Sequence, residues 1–154
     1  MNPLREILGV DDIELDADLD SGDAVLARLA AMLSRRQGLP ASEILRGLEA
    51  RERLGSTALG HAVAIPHARV PACQREAAVL LRTRTPIAFG APDARPVTLF
   101  LGLVVPAQAS EQHLRLLAAA AELLDDRARR VALKAATSAA AVRAILDALP
   151  DPSR

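Results

Sequence analysis

Two long apolar runs in the middle of the chain constrain its fold more than any other feature. Residues 77–81 contain no polar side chain, and residues 97–105 contain only Thr98. A strand with one exposed face alternates apolar and polar residues, whereas unbroken runs are typical of strands covered on both faces. The segment between the runs contains Pro86, Gly90, Pro92, Asp93 and Pro96, which indicates loops and turns. The sequence therefore predicts a buried sheet that needs helices on both sides.

Helical patterns flank these runs. Ser21, Ser110 and Ser138 each precede an apolar stripe of helical period and are predicted N-caps. The predicted helices are the segment from Ser21 to about Gly38 and residues 41–53, 110–124, 127–136 and 139–149. Helices first, strands in the middle and helices last predict an α/β fold. We expect a single layered domain over residues 1–154, with an ordered core of about 4–149 and a central mixed β-sheet covered by helices on both faces.

Charge and composition exclude several functions. The 19 basic residues of the 154-residue chain balance 19 acidic ones, and the only aromatic residues are Phe89 and Phe100. A neutral surface with few stacking rings is a poor match for nucleic acid. Cys73 is the only cysteine, which excludes an intrachain disulfide and a cysteine zinc cluster.

Nothing in the chain predicts a membrane segment. Residues 1–10 lack the apolar run of a signal peptide, and the longest apolar stretch, residues 97–106, is too short to span a bilayer. We therefore expect a cytoplasmic protein without membrane insertion. No Walker loop, Gly-x-Gly-x-x-Gly or zinc-ligand spacing is present, so no cofactor and no metal are predicted.

His67 is the main candidate for chemistry. Residues 63–65 read as a short strand, and Pro66 fixes its own φ and biases Ile65 towards an extended shape. The strand is predicted to end at Pro66 and to present His67 rigidly at its exit. A neutral imidazole attacks through a nitrogen lone pair near pH 7 and is a good phosphoryl acceptor.

A phosphoryl acceptor needs positive charge and hydrogen-bond donors around it. The candidates are His113, the backbone N–H groups at the start of the helix capped by Ser110, Thr57 and Arg51. His113 lies in the first turn of that helix, where the helix dipole favours an anion.

Two segments resemble a known family. Residues 51–60, RERLGSTALG, and residues 63–67, VAIPH, are similar to the signature of phosphotransferase-system enzyme IIA of the fructose/mannitol type, and most of all to its stand-alone, nitrogen-type members. The resemblance runs from about Leu4 to Leu149. The chain departs from it at His61, where many relatives have Asn, and at Ala68, where Gly is frequent.

The resemblance implies roles for individual residues. The phosphorylated histidine falls on His67, the second active-site histidine on His113, and the phosphate-facing arginine on Arg51. Thr57 matches a Ser/Thr position of the family, and with Ser56 of the same turn it is the predicted phosphate-binding pair.

Other interpretations of these residues remain open. In the alternative interpretation of His113, it is only a polar residue of a helix's first turn, and Arg53 competes with Arg51 for the phosphate. The alternative role of Thr57 is to satisfy turn backbone. His61 is expected on a solvent-facing strand. Ser56 lacks the Gly-x-Ser-x-Gly context of a serine hydrolase.

The resemblance also implies partners. We expect an HPr-like phosphohistidine carrier as the donor and regulatory target proteins, such as kinases or transporters, whose binding depends on phosphorylation. The alternatives are a non-catalytic binding module of the same fold, and the enzyme IIA component of a fructose/mannitol-type sugar transport system.

Overall fold

The structure is a computed structural model that describes residues 2–108 and 110–150. The outermost residues of the predicted 1–154 domain therefore lie outside the described part. The described residues form six α-helices and one six-stranded sheet. In chain order these elements are α1 (Pro3–Ile7), β1 (Ile13–Ala17), α2 (Gly22–Gln37), α3 (Ala41–Arg53), β2 (Ala58–Gly60), β3 (Val63–Ala64), β4 (His67–Val70), β5 (Ala77–Ile87), β6 (Val97–Pro106), α4 (Glu111–Asp125), α5 (Arg127–Ala135) and α6 (Ala139–Asp147). A short 3-10 turn, Val10–Asp12, precedes β1.

The sheet is mixed, as predicted. Its strand order is β1-β5-β6-β3-β2, and β4 also pairs with β6. Strands β5 and β6 are antiparallel, β1 is parallel to β5, and both β3 and β4 are parallel to β6. The short β2 is antiparallel to β3.

Helices cover both faces of the sheet, which confirms the predicted layered α/β architecture. One apolar layer joins α2 and α3 to the face that carries Phe100 and Val104. The other layer joins α1, α4, α5 and α6 to the face that carries Leu101 and Leu103. Adjacent residues of β6 thus enter opposite layers, because successive side chains of a strand point to opposite faces. This explains the unbroken apolar run in the sequence.

The predicted helix caps are confirmed. Ser21, Ser110 and Ser138 each accept a hydrogen bond from the backbone N–H three residues later. Gly38 ends α2 with a φ of 71°, a left-handed conformation that favours glycine. The last two helices are slightly shorter than predicted, since α5 ends at residue 135 and α6 at residue 147.

The predicted strand before His67 needs a correction. Strand β3 ends at Ala64, and the chain becomes a strand again at His67, so His67 opens β4 and does not follow a strand exit. Ala64 pairs with Phe100, and His67 pairs with Leu103, so β3 and β4 pair with β6 in the same register. The carbonyl oxygen of Pro66 still accepts a hydrogen bond from the Leu103 N–H, at 2.9 Å. Proline removes only a donor, so it interrupts the ladder without shifting its register.

Other corrections concern the predicted turns. Strand β5 continues past residue 81 to Ile87, so Pro86 lies in a strand and not in the loop that was expected. His61 is exposed as expected but does not lie on a strand. It forms a two-residue turn with Ala62 between β2 and β3, with φ values of 55° and 64°. Two positive φ values in such a turn are typical of type I′, which matches the twist of a hairpin.

The N-terminal elements α1 and β1 were not predicted.

None of the helices in the described ranges is both long enough and apolar enough to cross a membrane.

Candidate functional site

The ring of His67 is held by the main chain. His67 is half-buried, and its Nδ1 lies 2.8 Å from the carbonyl oxygen of Ile65. A carbonyl oxygen only accepts hydrogen bonds, so Nδ1 must carry the proton and donate it. In the neutral ring the lone pair therefore lies on Nε2. This is the tautomer that a nucleophilic Nε2 requires.

The surroundings of His67 keep the ring neutral. Burial lowers the pKa of His67 below the ordinary value of 6.5, because the charged form loses solvation. The hydrogen bond to Ile65 and the Glu52 carboxylate raise the pKa of His67, while the Arg51 and Arg69 guanidinium groups lower it further. The net direction is downward, so most of the molecules carry an uncharged, nucleophilic His67 at pH 7.

A cleft lies beside His67, between the end of the sheet and the first turns of α4. Its volume is about 110 Å³. The residues that line it are His67, Arg69, Val105, Ser110, His113, Leu114 and Leu117. The cleft therefore combines the two histidines, one arginine and the N-terminus of α4. Leu114, at 66% exposure, adds an apolar rim.

His113 contributes a buried ring to the cleft. The residue is only 4% exposed, and its backbone N–H donates to the Ser110 side chain at 3.4 Å, which fixes it in the first turn of α4. Its Nε2 lies 3.5 Å from Oε1 of Glu76. The start of a helix carries free N–H groups and a partial positive charge, so an anion bound here is stabilised by α4 as well as by the ring.

The two candidate arginines behave differently. Arg51 is half-buried at the end of α3, and its Nη1 donates to the Gly55 carbonyl oxygen at 2.8 Å. Its charge acts on His67, as the pKa of His67 shows. Arg53 is exposed, and its Nε donates back to the Glu49 carbonyl oxygen at 3.3 Å. The geometry thus favours Arg51 over Arg53, although Arg51 is not among the described residues that line the cleft.

The structure does not bring the predicted hydroxyl pair into the cleft. Thr57 is buried and donates its hydroxyl hydrogen to Glu52 Oε1, while its backbone N–H donates to Glu52 Oε2 at 3.1 Å. Ser56 is exposed and donates to the Phe89 carbonyl oxygen at 2.5 Å. Neither is among the described cleft-lining residues. In this arrangement Thr57 holds the Glu52 carboxylate, and Ser56 holds the loop after β5.

Three charged residues near the site were not singled out from the sequence. Arg69 is two residues after His67 on β4, and the two-residue period of a strand places both on one face. That period was a usable signal. Glu52 adjoins Arg51 and accepts hydrogen bonds from Thr57, and its carboxylate raises the pKa of His67. Glu76 reaches His113 from the segment before β5, a contact that no local pattern indicates.

No metal centre accompanies this cleft within residues 2–108 and 110–150. Nowhere in those ranges do three or more His, Cys, Asp or Glu side chains lie close enough together to hold an ion.

Comparison with known proteins gives a consistent result. Residues 6–148 match the family described as "Phosphoenolpyruvate-dependent sugar phosphotransferase system, EIIA 2". The chain is 40% identical to the nitrogen regulatory protein of Pseudomonas aeruginosa over 125 residues, which is 79% of this chain and 80% of that protein. The crystal structure of the nitrogen regulatory protein IIA-Ntr from Neisseria meningitidis has a TM-score of 0.88 and 38% identity, over 93% of this chain and 98% of that chain.

A more distant structure shares the fold. The enzyme IIAMTL of Escherichia coli, solved in complex with phosphorylated enzyme IIBMTL, has a TM-score of 0.79 at 18% identity, over 93% of this chain and 100% of that chain. At this level of identity the similarity concerns the fold alone.

Proposed function

Because the chain belongs to the EIIA 2 family of the phosphoenolpyruvate-dependent sugar phosphotransferase system, we propose that Nε2 of His67 accepts and passes on a phosphoryl group. Family membership supports a phosphoryl-carrier role in general. The assignment to His67 is supported above all by one observation, the hydrogen bond from Nδ1 to the Ile65 carbonyl oxygen. It leaves the only lone pair of the neutral ring on Nε2, in a residue that lines the cleft.

The transfer follows from this tautomer. The donor is a phosphohistidine on a small HPr-like carrier. The Nε2 lone pair of His67 attacks the phosphorus, the bond between phosphorus and the carrier's ring nitrogen breaks, and that nitrogen keeps the electron pair. His67 loses no proton, because Nε2 had none. The positive charge that develops on its ring is stabilised by the donation from Nδ1 to Ile65.

The cleft supplies the charge that the phosphoryl oxygens need. His113 and Arg69 line it, and the N-terminus of α4 faces it through Ser110. Arg51 adds positive charge that acts on His67 from the end of α3. Phosphoryl transfer depends mainly on positioning and electrostatics, so these groups act by neutralising the moving anion. His113 and Arg51 are the proposed catalytic partners of His67.

We assign Thr57 a supporting role rather than direct contact with phosphate. Its hydroxyl and its backbone N–H both donate to Glu52. Because Glu52 raises the pKa of His67, this clamp keeps a carboxylate at a fixed position near the nucleophile. Ser56 is proposed to keep the neighbouring loop in place through Phe89.

Labelling with a phosphorylated carrier tests the proposal. We expect the wild-type chain to acquire one acid-labile, base-stable label, and His67→Ala to acquire none. His61→Ala is the matched control, because His61 is an exposed turn histidine that the cleft does not include, and it should label like wild type. A label that persists in His67→Ala, or a wild-type chain that never labels, would refute the assignment. The latter result would favour a non-catalytic binding module.

Regulation is the proposed output. A phosphoryl group adds roughly −1.5 to −2 charge, by analogy with other phosphorylated side chains. It would lie next to Arg69 and to the exposed Leu114, so it converts a cationic and apolar rim into an anionic one. We propose that regulatory targets, kinases or transporters, bind one state in preference to the other. Equal affinity of both states for such targets would contradict this.

A role as the enzyme IIA component of sugar transport is the competing output. The E. coli IIAMTL of the same fold was solved with phosphorylated IIBMTL. Transfer of label from His67 to a IIB-type domain, without any state-dependent binding to regulatory targets, would favour transport over regulation.

A further inference from the structure

One contact of the cleft is not explained by the transfer step. The buried His113 ring has its Nε2 3.5 Å from Oε1 of Glu76, whose side chain is 23% exposed. The other ring nitrogen, Nδ1, is buried and has no hydrogen-bond partner among the described residues. Among residues 2–108 and 110–150, the acceptor found beside this ring is therefore a carboxylate at ion-pair distance from Nε2.

This arrangement decides how the ring behaves. In a neutral imidazole one nitrogen carries the proton, and a proton on Nε2 faces a carboxylate, whereas a lone pair there would be repelled by it. Glu76 therefore favours the tautomer of His113 that carries its proton on Nε2.

We propose that Glu76 is a positioning residue for phosphoryl transfer, which holds the His113 ring in place with the proton on Nε2, directed at Oε1, when the phosphoryl group arrives. The inference rests on the proposed function of the cleft. Glu76 acts through His113 because it is not among the described residues that line the cleft. A carboxylate inside the cleft would repel the phosphoryl group, whereas one beside the histidine orients the ring without facing the anion.

The other charged groups around His113 do not supply this function. His67 and Arg69 line the cleft with it from β4, but neither carries the negative charge that Glu76 directs at the ring. Glu111 lies two residues earlier on α4, but it is exposed and pairs with Arg115 at 3.6 Å. Among the described acidic residues, Glu76 alone is recorded at ion-pair distance from the ring.

A double-mutant cycle separates this role from direct ones. The initial rate of phosphoryl transfer from the carrier is measured for wild type, Glu76→Gln, His113→Gln and the double variant. We expect Glu76→Gln to slow transfer about tenfold, a coupling within the usual range for contacting residues. In the His113→Gln background the same change should have almost no effect, because the group through which Glu76 acts is gone.

Two further readouts exclude a purely structural role. The ¹⁵N shifts of Nε2 and of Nδ1 of His113 should both change in Glu76→Gln, because the carboxylate that holds the proton on Nε2 is gone. Glu111→Gln is the matched control, which removes one carboxylate from the same helix end and should change neither.

The possible failures are distinguishable. If wild type acquires no label, the proposed function fails. If wild type labels but Glu76→Gln transfers at the wild-type rate with unchanged His113 shifts, the role of Glu76 is refuted. An equal loss in both the wild-type and the His113→Gln background would also refute it, because Glu76 would then act without His113.

Discussion

Gly47 of α3 packs against the strand that carries His67, and its replacement by alanine gives a sharp prediction. A methyl group at Gly47 would lie 2.9 Å from Cβ of Ala68. Carbon atoms in contact prefer about 3.5–4.0 Å, so α3 and β4 would have to separate by about 0.5–1 Å. Arg51 follows Gly47 by one helical turn, so the same movement shifts its charge relative to His67.

The expected magnitudes follow from two opposing effects. Alanine in place of glycine in a helix interior normally adds about 0.8–1.0 kcal/mol of stability. Overpacking a tight contact removes about 1–3 kcal/mol. We therefore expect Gly47→Ala to lower the free energy of unfolding by about 1 kcal/mol where propensity alone would raise it. A misplacement of 1 Å can reduce a rate about 100-fold, so we expect phosphoryl transfer to fall about tenfold.

Ala68→Gly provides the control, because it removes the methyl group that Gly47→Ala meets. Alone, Ala68→Gly should destabilise the protein by about 1 kcal/mol, since it removes a buried methyl group and adds chain entropy. In the Gly47→Ala background it should instead restore both stability and transfer. Urea denaturation and the initial labelling rate measure the two effects. A Gly47→Ala variant that gains about 1 kcal/mol and labels at the wild-type rate would refute this account of the contact.

Three further predictions concern the charges around the nucleophile. Because the folded pKa of His67 lies below 6.5, the unfolded chain binds the proton first, so the free energy of unfolding should fall as pH decreases through 6.5 towards the folded pKa. The free energy of unfolding of His67→Gln, measured by urea denaturation from about pH 8 to about pH 5, should lack this pH-dependent fall. The same pH dependence in His67→Gln and wild type would contradict the lowered pKa of His67. Thr57→Val should lower the free energy of unfolding by about 1–3 kcal/mol, because it removes a hydrogen bond to the Glu52 carboxylate. Thr57→Ser keeps that hydrogen bond and should not show this loss. Equal losses for the two variants in urea denaturation would argue against the clamp. Arg51→Lys should slow labelling of His67 more than Arg53→Lys does, and the reverse order would transfer the role to Arg53.

Much of the fold was predictable because its signals are local. The capping serines and the helical stripes define α2, α4 and α6 within a few residues, and the apolar run of β6 predicts a strand covered on both faces. The N-terminal elements were missed. Strand β1, Ile13–Ala17, alternates apolar and acidic residues, a local strand signal that was left unused, but its place in the sheet depends on its parallel pairing with β5. That pairing joins distant parts of the chain, so no window of sequence contains it.

The residues of the site also fall into those that the sequence indicates and those that only the structure reveals. His67 follows Pro66 and His113 follows a capping serine, so sequence alone can select them, whereas Arg69 was missed because the strand that it shares with His67 was not predicted. The sequence could not show that Thr57 turns its hydroxyl to Glu52, because the choice between phosphate and carboxylate depends on side-chain direction. The contact between Glu76 and His113 depends on the packing of α4 over the sheet, which is a tertiary property.

The interrupted strand explains why the proposed reactive nitrogen of His67 is selected by the main chain. Around the break, Pro66 accepts the ladder hydrogen bond from Leu103, whereas the N–H of Ile65 donates to the Thr57 carbonyl oxygen on the other side. The Ile65 carbonyl oxygen then accepts from the His67 ring, a contact that an inner strand would give to a neighbouring strand. Backbone geometry, and not the charge of any side chain, thus selects the tautomer. Substitutions of the surrounding arginines and glutamates should therefore change how basic His67 is, but not which of its nitrogens attacks.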